Sequence, residues 1–308
     1  MITLNVALIG YGYWGPKLAR NIQNSNNFQI RYIIDNSKKN LEKAKNDFPL
    51  AKSYKNYKSL PKENIDLVVI STPTKTHFQI ANYFLNFSHV LIEKPLSISL
   101  KDVVNLEKKS TKMKKKLFVD YPFIFSGSIK YIKNVLKQKK YGKLLEIESF
   151  REQAPIRKDA SVVWDLGVHD ISILRFLLNR NPKKIKSIKY NTVKTNQKDT
   201  AYINLEFQNN LKVFIKNSWI SPIKIRIIKF KFEKGIIICD ENEPIYKLKV
   251  YTRKSKSSPI YRLEIPEIDL SEPLFNLISY VSRSIISNSN PIFKNNFNKY
   301  ITKVLEKI

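Results

Sequence analysis

Three sets of residues have the types and spacing for chemistry. Gly10, Gly12 and Gly15 form a G-x-G-x-x-G run that ends an apolar stretch and opens a helical one. In a strand–turn–helix context, Gly10 permits the tight turn, Gly12 lets backbone approach a pyrophosphate, and Gly15 lets the helix sit close to the strand. The helix start adds free N–H groups and a partial positive charge. Pro16 suits that first turn, where its missing N–H loses no partner. The chain has only seven glycines, so three within six residues point to a site. The second set is Glu93-Lys94-Pro95, directly after an apolar run. The third is Asp165 and His169, four apart and flanking Gly167.

Each set has a chemical and a structural meaning. Asp35 lies twenty positions after Gly15, at the end of a second apolar run, where a carboxylate accepts from adenosine ribose hydroxyls. It completes a dinucleotide-binding set with Gly10, Tyr11, Gly12, Tyr13, Trp14 and Gly15. Ser71, Thr72, Pro73, Thr76 and His77 follow a third run. Their small hydroxyls leave room for a cofactor and supply hydrogen bonds; Thr76 equally suits the cap of the next helix, and His77 reads as cofactor-adjacent rather than catalytic. A charged pair such as Glu93-Lys94 after a buried strand is costly to desolvate without a task. A cis bond at Pro95 would aim Lys94 at the crevice, whereas a surface salt bridge and a turn fit the same residues. Asp165 and His169 share one face of a helix. A histidine beside a carboxylate can exchange a proton near neutral pH, but an ordinary helix start with a satisfied histidine fits as well. No third ligand accompanies them, so no metal site is expected.

The elements that position these sets follow from patterning. Apolar runs at 4–9, 30–34, 67–71, 90–92 and 117–119 alternate with helical patterns at 16–23, 38–48, 76–87 and 100–114. That alternation predicts a parallel sheet with helices on both faces, its ligands beyond the carboxyl ends of the strands. Beyond residue 120 come helices at 128–139 and 164–178, then strand-like runs at 144–151, 185–193, 201–207, 212–219, 225–232 and 236–239. Short turns at 208–210 and 234–235 predict a mostly antiparallel sheet. Residues 241–266 read as irregular strands and loops, with late helices at 271–286 and 297–308. The expected architecture is α/β: an N-terminal Rossmann dinucleotide-binding domain over 1–120, and a C-terminal α+β domain with an open sheet over 121–308, for substrate binding and oligomerisation.

Composition narrows the setting. At 308 residues, two domains are the default. No apolar run is long enough for a membrane span, and a strand at the very start leaves no room for a cleaved leader. Cys239 is the only cysteine, which excludes a disulfide framework and suits a reducing cytoplasm. The net charge of +29 would suit nucleic acid or an anionic membrane. However, lysine is spread along the whole chain, and the densest runs sit at helix ends, where lysine faces water and carbonyls. No nucleic-acid partner is expected; the basic field suits dinucleotides and sugar nucleotides.

Gly10–Gly15, Glu93-Lys94-Pro95 and Asp165-x-Gly167-x-His169-Asp170, in this order and spacing, resemble the glucose–fructose oxidoreductase, inositol dehydrogenase and MocA family. GYWGP and WDLGVHDISIL are similar to a branch linked to nucleotide-sugar and surface-polysaccharide metabolism. The resemblance implies oxidation of a sugar or cyclitol hydroxyl, or its reverse, with NAD or NADP. It implies that Lys94 lies beside the nicotinamide and the reacting hydroxyl, that Asp165 contacts substrate, and that His169 is the acid/base, polarised by Asp165 or Asp170. Ala160-Ser161-Val162 stands where many members carry a glycine pair, which leaves the shape of the substrate loop open. Asp35 favours NAD by repelling a 2′-phosphate, although Ser37, Lys38 and Lys39 could hold one. Tyr121 and Arg157 join the expected substrate contacts, with Lys130, Arg151 and Lys158 as further anion candidates. The expected substrate is a small sugar or sugar nucleotide. The competing readings are an inositol or free-sugar dehydrogenase, an enzyme using NAD transiently for elimination or glycoside cleavage, and a silent dinucleotide-binding regulator. An open sheet face predicts a homodimer or homotetramer. The enzyme reading needs the turn at 10–15, Lys94 and His169 to meet around one pocket.

Overall fold

The computed structural model describes residues 3–156, 160–193, 197–253, 260–289, 291–292 and 296–308. The chain divides into two units, Met1–Pro122 with Glu272–Thr302, and Phe123–Ser271 with Lys303–Ile308.

The first unit is built on β1 (Leu4–Ile9), β2 (Phe28–Ile34), β3 (Lys52–Tyr54), β4 (Leu67–Ile70), β5 (His89–Glu93) and β6 (Leu117–Asp120). They form one sheet in the order β3-β2-β1-β4-β5-β6, all parallel. This is the doubly wound order whose halves diverge between β1 and β4. Val6, Ala7, Leu8, Val68, Val69 and Leu91 are wholly buried. Parallel strands covered on both faces have no solvent side, which is why they read as unbroken apolar runs. The crossovers carry α1 (Gly15–Gln23), α2 (Lys38–Asp47), α3 (Thr74–Phe84) and α4 (Leu100–Lys112). Ser37 and Ser99 cap α2 and α4 by accepting from Asn40 and Asp102 N–H groups. Helix α3 begins two residues before the expected start: its cap is Pro73, and the Thr76 hydroxyl donates back to the Pro73 carbonyl at 2.8 Å instead of capping.

Residues Glu272–Thr302 belong to this unit, although the sequence pattern placed them in the second. Their helix, α7 (Pro273–Ile286), is tied to α1 by a bidentate Arg20–Glu272 pair at 2.8 Å. Asn27 donates to Ser282, and the Tyr280 ring packs edge-on to Phe118. Such long-range ties leave no mark on local periodicity.

The second unit carries β7 (Leu144–Glu152), β8 (Lys184–Tyr190), β9 (Thr200–Glu206), β10 (Lys212–Ser218), β11 (Ile225–Phe232), β12 (Gly235–Asp240), β13 (Leu248–Thr252) and β14 (Arg262–Glu264). The sheet order is β14-β13-β12-β11-β7-β10-β9-β8, antiparallel except for the central β7–β10 pair. Asn209 and Asn210 take left-handed φ values of 59° and 58° in the β9–β10 turn, as a short hairpin demands. One sheet face, including Ile147, Val213, Ile228 and Phe230, is buried. Two helices accompany the sheet, α5 (Gly127–Gln138) and α6 (Val168–Leu178). The other face is open and mixed: Phe214 and Tyr202 stand exposed beside Glu146–Lys231, Glu148–Lys229 and Glu152–Lys216 ion pairs. The terminal helix, α8 (Phe297–Lys307), follows α7. Among the described residues, no helix is long and apolar enough to cross a membrane.

Candidate functional site

In the first unit the expected residues gather at the carboxyl ends of the strands. Gly10 has a φ of +97°, and a Cβ there would lie 2.6 Å from the Ser71 carbonyl oxygen. A Cβ on Gly15 would lie 2.3 Å from the Gly10 oxygen. Both positions therefore exclude any side chain. A Cβ on Gly12 would meet nothing within 4 Å, so the open face of the turn is at Gly12. The start of α1 has no side-chain cap, and Pro16 occupies its first turn. These amides are placed to receive an anion. A turn shut at two glycines and open at the third, beside an uncapped helix start, fits a pyrophosphate.

The surrounding residues divide between facing that space and supporting it. Asp35 is buried and accepts from Tyr11 N at 2.7 Å, Ser37 N at 2.8 Å and Asn40 Nδ2 at 3.1 Å. A carboxylate has about four acceptor positions, so Asp35 anchors the turn and keeps capacity for a ribose hydroxyl. Tyr11 points inward: its ring is buried and its hydroxyl donates to Asp47 at 2.7 Å, so only its backbone faces the turn. Burial and the Asp47 charge push that phenol well above its ordinary range. Tyr13 is 83% exposed, with Lys17 Nζ over its ring at 3.9 Å. Ser71 Oγ donates to the Gly10 carbonyl at 2.7 Å and braces the turn. Thr72 and Thr76 share a 2.7 Å hydroxyl contact. His77 is buried, with Nδ1 at 2.9 Å from the Pro95 carbonyl and Nε2 at 2.8 Å from that of Thr72. Burial lowers its pKa, against the opposing pull of these carbonyls. His77 thus joins the β4–α3 loop to the Lys94-Pro95 turn, whose peptide is cis.

Sequence reasoning passed over Asp120. It lies at the end of β6, one residue before Tyr121, and is 1% exposed. Trp14 Nε1 donates to its Oδ2 at 2.9 Å. Glu93 faces it across the strand pair. Burial and the neighbouring Asp120 raise Glu93 well above the usual carboxyl range, and burial raises Asp120 too. The rule that informative residues follow each apolar run would have found it. Tyr121, taken in its place, is buried against Phe297, its hydroxyl raised by burial and by Glu107; its ring is a packing element.

In the second unit Asp165 sits on a π-helical turn, Val163–Gly167, and His169 begins the α-helical part that follows. Such turns are rare and concentrate at functional positions. Asp165 is buried and accepts from Trp219 Nε1 at 3.0 Å. His169 is half-buried, and its ring meets Phe123 edge-on at 4.9 Å. Gly167 has a definite cause: a Cβ there would lie 2.7 Å from Asn217 Oδ1. Asn217 in turn donates to Asp170 at 2.9 Å, and Ser149 and Arg151 engage the other Asp170 oxygen. Asp170 is therefore committed to structure. Arg151, a candidate anion contact in the sequence, is 1% exposed and turns its guanidinium to Asp170. Lys130 lies 4.0 Å from Asp269. Arg157 and Lys158 lie outside the described residues. Among the described residues, no three His, Cys, Asp or Glu side chains converge as a metal site.

Two family models match the chain. One, an oxidoreductase family with an NAD-binding Rossmann fold, covers residues 4–121, and the other, a GFO/IDH/MocA C-terminal domain, covers 129–238. The chain belongs to the GFO/IDH/MocA family. It is 26% identical over 229 residues to myo-inositol 2-dehydrogenase of Thermotoga maritima, an alignment spanning 70% of this chain and 68% of that protein. It is 21% identical to 2,7-anhydro-N-acetylneuraminate hydratase of Escherichia coli over 66% of this chain, spanning only 59% of the relative. Its fold matches UDP-N-acetylglucosamine 3-dehydrogenase from Acidithiobacillus ferrooxidans with a TM-score of 0.85 at 20% identity, covering 100% of this chain and 97% of that one. The family carries NAD on its Rossmann unit, and here Gly10, Gly12, Gly15, the α1 amides and Asp35 are the groups that fit it.

Proposed function

We propose that this member oxidises a hydroxyl of a nucleotide-linked or acidic sugar, or runs the reverse reduction. The observation that carries the reading is the turn left open at Gly12 beside an uncapped α1 start, in a family chain that carries Lys94, Asp165 and His169. NAD, when bound, supplies the hydride acceptor. His169 takes the hydroxyl proton on its imidazole, and Lys94 stabilises the oxygen as its charge grows. Asp165, steadied by Trp219, orients the sugar. Glu93 and the 71–77 loop complete the cofactor shelf. The net charge of +29 raises the local concentration of anionic substrates, and the relative that acts on a UDP-sugar supports that class.

The test is a panel of UDP-sugars, UDP-hexuronates and myo-inositol with NAD+, read by NADH absorbance. A nucleotide sugar should turn over, and Lys94→Ala and His169→Ala should each lower kcat by roughly a hundredfold or more, with circular dichroism unchanged. Full activity in either variant would sink the assignment. The hydratase relative favours a second reading, in which NAD stays bound and is regenerated within each turnover. Sugar consumption without net NADH would select it.

We also propose that the open sheet face pairs with a second copy, because Tyr202 and Phe214 are 45% and 39% exposed there. Light scattering that gives a monomer mass would exclude this.

A further inference from the structure

We propose that Asn40 is a specificity-determining residue of the cofactor site: its side-chain carbonyl accepts the adenosine 2′-hydroxyl beside the Asp35 carboxylate and rejects a 2′-phosphate. The inference rests on the NAD site of the Rossmann unit and not on the sugar assigned to this chain.

Most of the lone pairs of Asp35 are taken by the protein. Ser37 N donates to Oδ1 at 2.8 Å, while Tyr11 N and Asn40 Nδ2 donate to Oδ2 at 2.7 Å and 3.1 Å. A carboxylate has about four acceptor positions, so one remains, on Oδ1. The adenosine ribose of NAD brings two adjacent hydroxyls. Asp35 takes one of them in good geometry, and the second needs another acceptor. Asn40 Oδ1 stands close to the carboxylate, because Nδ2 of the same amide is bonded to it. Asn40 is half-buried, and among the described residues nothing donates to its Oδ1. Nor is its side chain spent on the helix start: Ser37 already caps α2 by accepting from Asn40 N. The 2′-carbon is one bond further from the 5′-pyrophosphate than the 3′-carbon. Asp35 is held by an amide of the glycine turn, and Asn40 lies beyond it on α2, so the 2′-hydroxyl falls to Asn40.

The bond to Asp35 also decides between NAD and NADP. An asparagine is ordinarily free to turn its amide over and donate to an anion. Here the turn would set Oδ1 where Nδ2 now lies, 3.1 Å from a carboxylate oxygen, and two acceptors would face each other. Asn40 is thereby kept with its carbonyl as the end away from Asp35. A 2′-hydroxyl donates to that carbonyl, whereas a 2′-phosphate brings only acceptor oxygens and more negative charge beside Asp35. Helix α2 is tied at both ends against relaxing this. The Tyr11 N–H holds Asp35 just before its start, and the Tyr11 hydroxyl holds Asp47, its last residue, at 2.7 Å.

Fluorescence titration of the full chain at one ionic strength tests this without any sugar. The probes are NADH, NADPH, and NADH lacking either the 2′- or the 3′-hydroxyl of its adenosine ribose. Asn40→Leu, close in volume and without polar atoms, should weaken NADH about fivefold or more. It should leave NADPH and the 2′-deoxy cofactor within about twofold of their wild-type affinities, because neither brings the hydroxyl that Asn40 holds. The 3′-deoxy cofactor should weaken as NADH does, and circular dichroism should be unchanged. If Asn40→Leu fails to fold, Asn40→Ser serves instead: serine suits a helix start, is too short to reach the ribose, and should give the same pattern. An unchanged NADH affinity, or equal weakening of all four cofactors, overturns the assignment, since a merely structural asparagine would not distinguish them. A wild type that binds no NADH overturns it together with the NAD site. Failure of every sugar to turn over would count against the proposed function and would leave these affinities standing.

Discussion

Two buried aspartates set the two units apart. Asp170, in the second, is surrounded by donors: Ser149 Oγ at 2.8 Å, Arg151 Nε at 3.3 Å and Asn217 Nδ2 at 2.9 Å, with Arg151 itself buried. Asp120, in the first, has one donor from Trp14 and a second acid, Glu93, as its strand partner. Both carboxyls are removed from water; the Asp170 charge meets the buried Arg151 guanidinium, whereas Asp120 faces a second acid as well as Lys94. A matched and hydrogen-bonded charge fixes structure, and disturbing it mainly destabilises. Two adjoining buried acids are raised toward their protonated forms, which makes the pair a place where charge can change. Proton chemistry is therefore expected beside Lys94, and rigidity beneath His169.

Breaking the matched side should give the largest effect. Asp170→Ala leaves the Arg151 guanidinium buried without its anion and should cost about 3–5 kcal/mol in urea unfolding. A loss below about 1 kcal/mol would mean that the cluster is not the anchor described here. Next comes a contrast inside the glycine turn. Gly15→Ala drives a Cβ to 2.3 Å from the Gly10 carbonyl oxygen and should destabilise by about 1–3 kcal/mol. Gly12→Ala meets no atom within 4 Å, so its stability should stay within about 0.5 kcal/mol of wild type. NADH binding, followed by fluorescence, should nevertheless weaken at least about tenfold, because the added methyl occupies the open face of the cradle. Equal destabilisation by the two substitutions would show that Gly12 is structural.

Much of this was legible along the chain, for a physical reason. The strands of the first unit are buried on both faces and write unbroken apolar runs; the hairpins of the second carry asparagines where φ is positive. The glycine turn, Asp35, the EKP triplet and the Asp165–His169 pair were all visible as local spacing. What escaped was non-local or too short. β3 is a three-residue edge strand with no alternation to read. The extra residue in the π turn shifts backbone bonding without altering composition. Asp120 meets Trp14 across 106 positions, and Asp170 meets Asn217 across 47. Such pairings exist only once sheet order is known, and they decide which acid is reactive and which is structural.

The smallest expected effect is also the most direct reading of the acid pair. Glu93 is raised by burial first and by Asp120 second, with Lys94 acting against them. The folded chain therefore retains a proton that an unfolded glutamate, at its ordinary value near 4.5, has released. Its contribution to stability is complete below that value and is lost as pH rises toward the folded one. Wild-type stability in urea should accordingly decline as pH rises above about 5 by more than that of Glu93→Gln, which carries no titrating group there. Asp170 offers the internal comparison. Asp170→Asn, which weakens the contact with Arg151, should lower stability throughout the same titration. If Glu93→Gln keeps the wild-type slope while Asp170→Asn flattens it, the roles of the two clusters are reversed.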